Sequence, residues 1–240
     1  MGWYDRAVIY IVPSRGRPHN VEELIGAFEQ TRSPGGTELF IVVDDDDPAV
    51  HDYRRVIKDA PQWVNWIRFK AMRRPAMVDA LNYAARQLAT RHDVIGFMGD
   101  DHRPRTPSWD ELIRVVASDQ LVYGNDTIHG PNIPTSIAMP ARYITAMGYM
   151  APPMFRHLYV DNWWYALGQR VGITYLSGVT IEHMHPIAGK AEWDETYKMA
   201  NDGALYEADR LTYEELRDSG RIDEDAAKCL AVRGDGSTTL

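Results

Sequence analysis

The sequence predicts an α/β fold, a mostly parallel central sheet with helices on both faces, formed as a single domain. Three observations predict it. Strand-length apolar runs rich in branched residues recur at 7–12, 38–43 and 93–98. Each run stops abruptly in a charged or proline-rich loop. After the first and third of these loops, and after a further short apolar run, apolar residues return at helical spacing.

In chain order, Ala7 to Val12 reads as the first buried strand, and Pro13-Ser14-Arg15-Gly16-Arg17-Pro18 as a loop, because two prolines and a glycine forbid regular structure. Asn20 with Glu23 reads as a capping pair ahead of Val21, Leu24, Ile25 and Phe28. Glu38 to Val43 is the second strand and runs into Asp44-Asp45-Asp46-Asp47. Trp66 to Phe69 is a short strand, and Pro75 suits the first turn of a helix reaching Ala89. Asp93 to Met98 ends at Gly99-Asp100-Asp101-His102, and Ser108 with Glu111 caps the helix that follows.

The second half is less regular. We expect a strand at Ser136–Met139, a helix at Ala141–Met147 stopped by Gly148, and a helix at Asp161–Arg170 closed by Gly172. Two short strands, Ile173–Leu176 and Val179–His183, should follow, then a helix from Thr212 to Gly220. The expected organisation is a main domain over 1–190, a helical extension over 191–232 and a disordered tail over 233–240.

Composition narrows the function. Hydrophobic residues make up 45% and charged residues 25%, enough apolar matter for a full core. No apolar run reaches the roughly 18 residues a membrane span needs, and the polar start at Met1–Arg6 predicts no signal peptide. Cys229 is the single cysteine, which favours a reducing cytoplasm. Of the net charge of −8, residues 190–240 hold thirteen acids against seven bases. The body is therefore near neutral, against a general nucleic-acid binder.

Ligands of such sheets gather at the carboxyl ends of the strands, where the candidate chemistry lies. Asp100 and Asp101 end a buried strand and suit a hard cation, Mg²⁺ or Mn²⁺, bridging diphosphate oxygens. If Val179–His185 continues as a strand, His183 and His185 share a face and offer a nitrogen ligand to the same ion. Asp44 is the acid nearest the sheet in its loop. Asp161 is placed either as a general base or as a helix cap. Beside it, Trp163 and Trp164 are core residues or sugar-stacking surfaces. Arg15, Arg17, Arg73 and Arg74 are candidate phosphate ligands. Neither glycine-rich phosphate or dinucleotide motif occurs, which lowers kinase and dehydrogenase readings.

Taken in order, these residues resemble the family-2-like GT-A glycosyltransferases. The resemblance is carried by Val12-Pro13-Ser14-Arg15, Asp44, Ala80-Leu81-Asn82-Tyr83-Ala84, Gly99-Asp100-Asp101-His102, Gly148, Asp161, Gly172 and His183. It spans roughly residues 7–186. It implies transfer of a sugar from a nucleotide-diphosphate donor, UDP-sugar foremost, with Mn²⁺ or Mg²⁺ as cofactor. Pro13, Ser14, Arg15, Arg17, Asp44, Arg74, Asn82 and Asp100 would hold the donor, and Asp101 with His183 or His185 the metal, His102 being an additional possible ligand. Asp161 would be the base of an inverting reaction, or would position the acceptor in a retaining one. Gly99 stands where the family's metal motif has its first acid, and Val160 replaces an acid before Asp161. The acceptor is open: a glycan, a lipid-linked sugar, a protein, or a hydroxylated DNA base bound along Arg54, Arg55, Arg73 and Arg74. Rival readings are a nucleotidyltransferase and a non-catalytic nucleotide-sugar binding module.

Overall fold

The computed structural model describes residues 8–233. The expected leaderless start at 1–6 and residues 234–240 of the expected tail lie outside them. Arg233, also assigned to that tail, is held by Asp119 at 2.7 Å and by the Val171 carbonyl at 3.1 Å.

One eight-stranded sheet organises the chain. Its strands are β1 (Ile9–Ser14), β2 (Glu38–Asp44), β3 (Val64–Phe69), β4 (Val94–Phe97), β5 (His102–Pro104), β6 (Leu121–Asn125), β7 (Ile137–Pro140) and β8 (Ile173–His183). The order is β3-β2-β1-β4-β7-β6-β8-β5. The block β3-β2-β1-β4 is parallel throughout, β7 runs antiparallel to both neighbours, and β5 pairs antiparallel with β8 at the edge. Along β1, Ile9 and Ile11 enter one core cluster, while Tyr10 and Val12 enter the other. Both faces are thus covered, which explains why this strand reads as continuous apolar sequence rather than an alternating one.

The helices are α1 (Pro18–Thr31), α2 (Val50–Lys58), α3 (Met77–Leu88), α4 (Trp109–Ala117), α5 (Ala141–Met147), α6 (Val160–Val171), α7 (Glu195–Ala200), α8 (Gly203–Asp218) and α9 (Arg221–Ala231). The face carrying α3, α5 and α6 also receives Leu216, Ile222, Ala226 and Cys229 from α8 and α9. The C-terminal helices therefore share the main core.

Several local expectations are corrected. Helix α1 starts at Pro18 with no side-chain cap, so Asn20 and Glu23 are released, and they bond to Asp100 and Arg103 instead. Ser108 precedes α4 without a capping bond. Asp161 lies inside α6, one residue past its start, so it is not the cap. The helix expected from Thr212 begins at Gly203, where Asp202 accepts from the N–H groups of Ala204 and Leu205. The two strands expected between 173 and 183 are one, with a register shift opposite Gly124 and Asn125. A Cβ at Gly124 would sit 2.6 Å from the Val179 carbonyl, so the irregularity demands glycine there.

Candidate donor and metal site

The carboxyl ends of β1, β2 and β4 open into one cavity of about 370 Å³. Beside Asp44, the apolar residues Pro13, Val42, Ala76, Met77 and Ala80 line the cavity. Burial raises the Asp44 carboxyl above its usual range despite two nearby arginines. Arg15 Nη1 lies 2.9 Å from Asp44 and 2.7 Å from Asp46. Arg74 binds Asp46 as well and approaches Asp44 at 3.5 Å. Two cations and two anions therefore neutralise each other. Arg73 is committed elsewhere, in a bidentate pair with Asp79 and bonds to the Pro153 and Phe155 carbonyls.

Deeper in, Asp100 is buried and accepts from Ser14 Oγ at 2.5 Å, with Arg17 and Asn20 each at 3.4 Å. Burial raises its carboxyl above the ordinary value. Arg17 is clamped by Asp194 through two bonds of 2.7 Å, and its guanidinium stacks 3.6 Å over the Tyr197 ring. Helix α7 is thereby drawn across the site, and the Tyr197 hydroxyl donates to Asp101 at 2.8 Å.

Asp101, His102 and His183 form the one group of metal-capable ligand atoms among the described residues, all within 4.8 Å of one another. The fold dictates this. His102 on β5 is in register with His183 on β8, and their rings stack at 4.2 Å. Asp101 lies 3.3 Å from a nitrogen of each imidazole. Burial, the largest single influence, would raise the Asp101 carboxyl, but the charges and hydrogen bonds of His183 and His102 together outweigh it and hold the carboxyl well below the usual range. His183 is raised in turn: burial opposes its charge, and Asp101 more than compensates. Burial lowers His102, which keeps it neutral.

The tautomer of His102 follows from its partners. Thr135 Oγ1 gives its only proton to Asp126 Oδ2 at 3.1 Å, so toward His102 Nε2, at 3.3 Å, it can only accept. His102 is therefore protonated on Nε2 and bare on Nδ1. That Nδ1 is buried and makes no hydrogen bond of good geometry, although Asp101 Oδ1 is 3.3 Å away and its charge acts on the ring. Two lone pairs facing each other in a buried site call for a cation. A Cβ at Gly99 would lie 2.5 Å from Asp101 Oδ1 and 3.0 Å from His102 Nδ1. Glycine at position 99 therefore leaves open the space beside both atoms that a side chain would fill. Carboxylate and imidazole donors fit Mn²⁺ or Mg²⁺.

His185 stands outside that group. It lies past the end of β8, where its Nδ1 accepts the Ile187 N–H at 3.2 Å, and burial lowers its pKa to about 4. A neutral ring accepting on Nδ1 carries its proton on Nε2, so His185 offers the cavity an N–H donor and no metal ligand.

Asp161 reaches the same cavity, and burial raises its carboxyl above the usual value. The loop before it is fixed from the C-terminal region: the buried Asp209 carboxylate on α8 accepts the N–H groups of Arg156, His157 and Leu158 at 2.8–3.0 Å. Asn82 is not on the cavity wall. Its side chain is consumed by the Ala151 carbonyl and the N–H groups of Met150 and Ala151, joining α3 to that segment. Trp163 is buried beside Tyr149, away from the cavity. Trp164 borders the cavity, but it is 1% exposed, bonded to the Met150 carbonyl and packed on Phe97, so neither indole is free to stack a sugar.

Sequence reasoning missed Asp126, His129, Asp194 and Tyr197. The two Asp-x-x-aromatic spacings carry a weak signal, since Asp126 and Asp194 each accept a backbone N–H three residues on. Nothing local says that these turns face the cavity.

No protein-family profile and no curated sequence matches the chain. Solved structures do. A Pyrobaculum calidifontis mannosyltransferase in complex with GDP-Man and Mn²⁺ superposes with a TM-score of 0.59 at 13% identity, covering 99% of this chain and 77% of that one. The chain has the GT-A fold. Mycobacterium tuberculosis glucosyl-3-phosphoglycerate synthase, in complex with Mg²⁺ and UDP, shares this GT-A architecture with a TM-score of 0.57 at 13% identity, covering 87% and 79%. So does a 4-diphosphocytidyl-2C-methyl-D-erythritol synthase from Anaerococcus prevotii, at 0.52 and 11%, covering 87% and 96%. Among the described residues, no helix is long and apolar enough to cross a membrane.

Proposed function

We propose that the chain is a metal-dependent glycosyltransferase that uses a nucleotide-diphosphate sugar, with a UDP-sugar the first donor to test. The observation that carries the reading is the unpaired, buried His102 Nδ1 facing the Asp101 carboxylate beside His183, at the end of a nucleotide-sized cavity. Asp101, His102 and His183 would hold the ion. A divalent cation there supplies charge neutralisation for a leaving diphosphate.

The chain's own residues have complementary roles. The apolar slot around Asp44 accepts a nucleobase, and Asp100, fixed by Ser14 and Arg17, is set to take a ribose or sugar hydroxyl. His185 donates its N–H to a diphosphate oxygen. Asp161, made more basic by burial, takes the proton of the acceptor hydroxyl. The acceptor oxygen bonds to the anomeric carbon, and the bond to the diphosphate oxygen breaks with its electron pair. The two glycosyltransferase neighbours, described with GDP-Man and with UDP, support a nucleotide-sugar donor. The third neighbour is named for a diphosphocytidyl product rather than a sugar transfer, so fold similarity does not separate the two chemistries.

A screen of nucleotide sugars with Mn²⁺ separates them. Release of nucleoside diphosphate supports glycosyl transfer; pyrophosphate from a nucleoside triphosphate supports the nucleotidyltransferase; tight binding with neither supports a binding module. Asp161→Asn should keep donor affinity within about threefold and lower turnover by at least about 10²-fold. Undiminished turnover removes Asp161 from the mechanism.

A further inference from the structure

Asp126 sits at the end of β6 and is 2% exposed. Its Oδ1 accepts the N–H groups of Ile128 at 2.9 Å, His129 at 2.7 Å and Gly130 at 3.1 Å. Its Oδ2 accepts from His129 Nδ1 at 2.8 Å and from the Thr135 hydroxyl at 3.1 Å. Thr135 in turn accepts from His102 Nε2 at 3.3 Å. One carboxylate therefore terminates two hydrogen-bonded branches, one ending at the cation site and the other at His129, which lines the cavity together with Asp161. An ionised carboxylate only accepts, so the nitrogen facing it on His129 must carry a proton, and in the neutral ring His129 Nε2 is left as a bare acceptor.

We infer that Asp126 is a positioning residue that sets the tautomers of two imidazoles at once, and that His129 Nε2 takes a hydrogen bond from an acceptor O–H other than the one Asp161 deprotonates. The first half depends only on the hydrogen bonds. The second rests on the transferase reading and assigns His129 to the acceptor side of the same cavity. A bare nitrogen at that wall binds a hydroxyl, not an anion.

Substitution by asparagine makes a sharp test. The three backbone N–H groups keep the amide oxygen at the Oδ1 position, so the amide NH₂ replaces Oδ2. It donates to His129 Nδ1, forcing that proton to Nε2. It also donates to Thr135, whose hydroxyl proton then turns to His102 Nε2, leaving His102 protonated on Nδ1. Asp126→Asn should thus invert both tautomers and place a proton in the cation site.

The measurement is ¹⁵N imidazole NMR of the full chain without metal at about pH 8, above the ordinary histidine range, with signals assigned through single His→Gln variants. In the wild type we expect His129 protonated on Nδ1 and His102 on Nε2, both inverted in Asp126→Asn. Thr135→Val should free His102 alone and leave His129 unchanged, so the inference survives misfolding of the first variant. Titration with Mn²⁺ alone should show affinity weakened roughly tenfold or more in Asp126→Asn and Thr135→Val, and unchanged in His129→Ala. His129 protonated on Nε2 in the wild type, or Mn²⁺ affinity indifferent to Thr135→Val, overturns the positioning role. For the acceptor half, His129→Ala should slow single-turnover hydrolysis of the donor identified in the screen, with water as acceptor, by about tenfold; an unchanged rate overturns it. If the wild type transfers and hydrolyses nothing, the transferase reading has failed and the acceptor half falls with it, while the tautomers and Mn²⁺ affinities still decide the role of Asp126.

Discussion

The two ends of the cavity differ in how completely their charges are satisfied. At the Asp44 end, Arg15 and Arg74 face Asp44 and Asp46, and each charge has an opposite partner. At the other end, Asp101 faces two stacked imidazoles, yet His102 Nδ1 and His183 Nδ1 are buried without partners. Mutual neutralisation lets the Asp44 end stand without a ligand. A buried orphan next to a carboxylate is costly, and it marks the place where binding a cation gains the most. Counting acids and bases along the chain would rank the Asp44–Asp47 run above Asp100-Asp101, whereas pairing in three dimensions reverses that order.

The comparison is broken most directly at Asp101. Asp101→Ala removes the only carboxylate of the three-residue group and leaves two buried imidazoles facing each other. Metal-dependent nucleotide binding should fall at least about 100-fold, since oxygen ligands dominate the affinity of such sites. Calorimetry with UDP and Mn²⁺ measures this, and wild-type affinity in the variant would sink the metal assignment.

The pH response of metal binding should come from the same end. In the metal-free fold His183 binds its proton more tightly than an unfolded histidine does, so its stabilisation is complete below about 6.5 and fades as the pH rises through the elevated value. Asp101 has the opposite sign: its contribution is present above about 3.9 and is lost as the pH falls through its depressed value. Between those limits the ion pair supports the empty site. A metal ion must displace the His183 proton, so Mn²⁺ affinity should rise up to about tenfold per pH unit while that proton is bound, with about one proton released per ion. Calorimetry in two buffers of different ionisation enthalpy counts the protons. A pH-independent affinity with no release would show that His183 is not a ligand.

How much of this was legible in sequence depends on range. Ser14, Asp44 and Asp101 could be read because each follows a buried apolar strand in a parallel sheet, where topology alone sends the loop to the ligand edge. His183 was readable for the same reason, as β8 keeps its alternation to that residue. His185 was misjudged because the strand stops first, and strand periodicity says nothing beyond the last paired residue. Asn82 matches a family pattern, but its amide is spent holding residues 150 and 151. Tyr197 and Asp194 were invisible because their partners, Asp101 and Arg17, are 96 and 177 residues away. The boundary expected near residue 190 hid the same contribution, since nothing local in the segment beyond it says that its side chains reach Arg17 and Asp101.

The smallest effect should come from the satisfied end, at Asp46. Its side chain is 60% exposed and shares Arg15 and Arg74 with the more buried Asp44. Exposed pairs of this kind are worth up to about 1 kcal/mol, and salt screens them further. Asp46→Ala should therefore shift the midpoint of thermal unfolding by no more than about 3 °C. Its effect on binding should run the other way from Asp101→Ala. Removing one anion leaves two guanidinium groups competing for a single carboxylate, so an anionic nucleotide meets a more positive end. We expect UDP affinity in Mn²⁺ to hold or to tighten by up to about threefold, with any gain vanishing in high salt. A loss of tenfold or more would mean that Asp46 touches the nucleotide itself, and the contrast between a self-neutralised end and a ligand-demanding end would have to be redrawn around it.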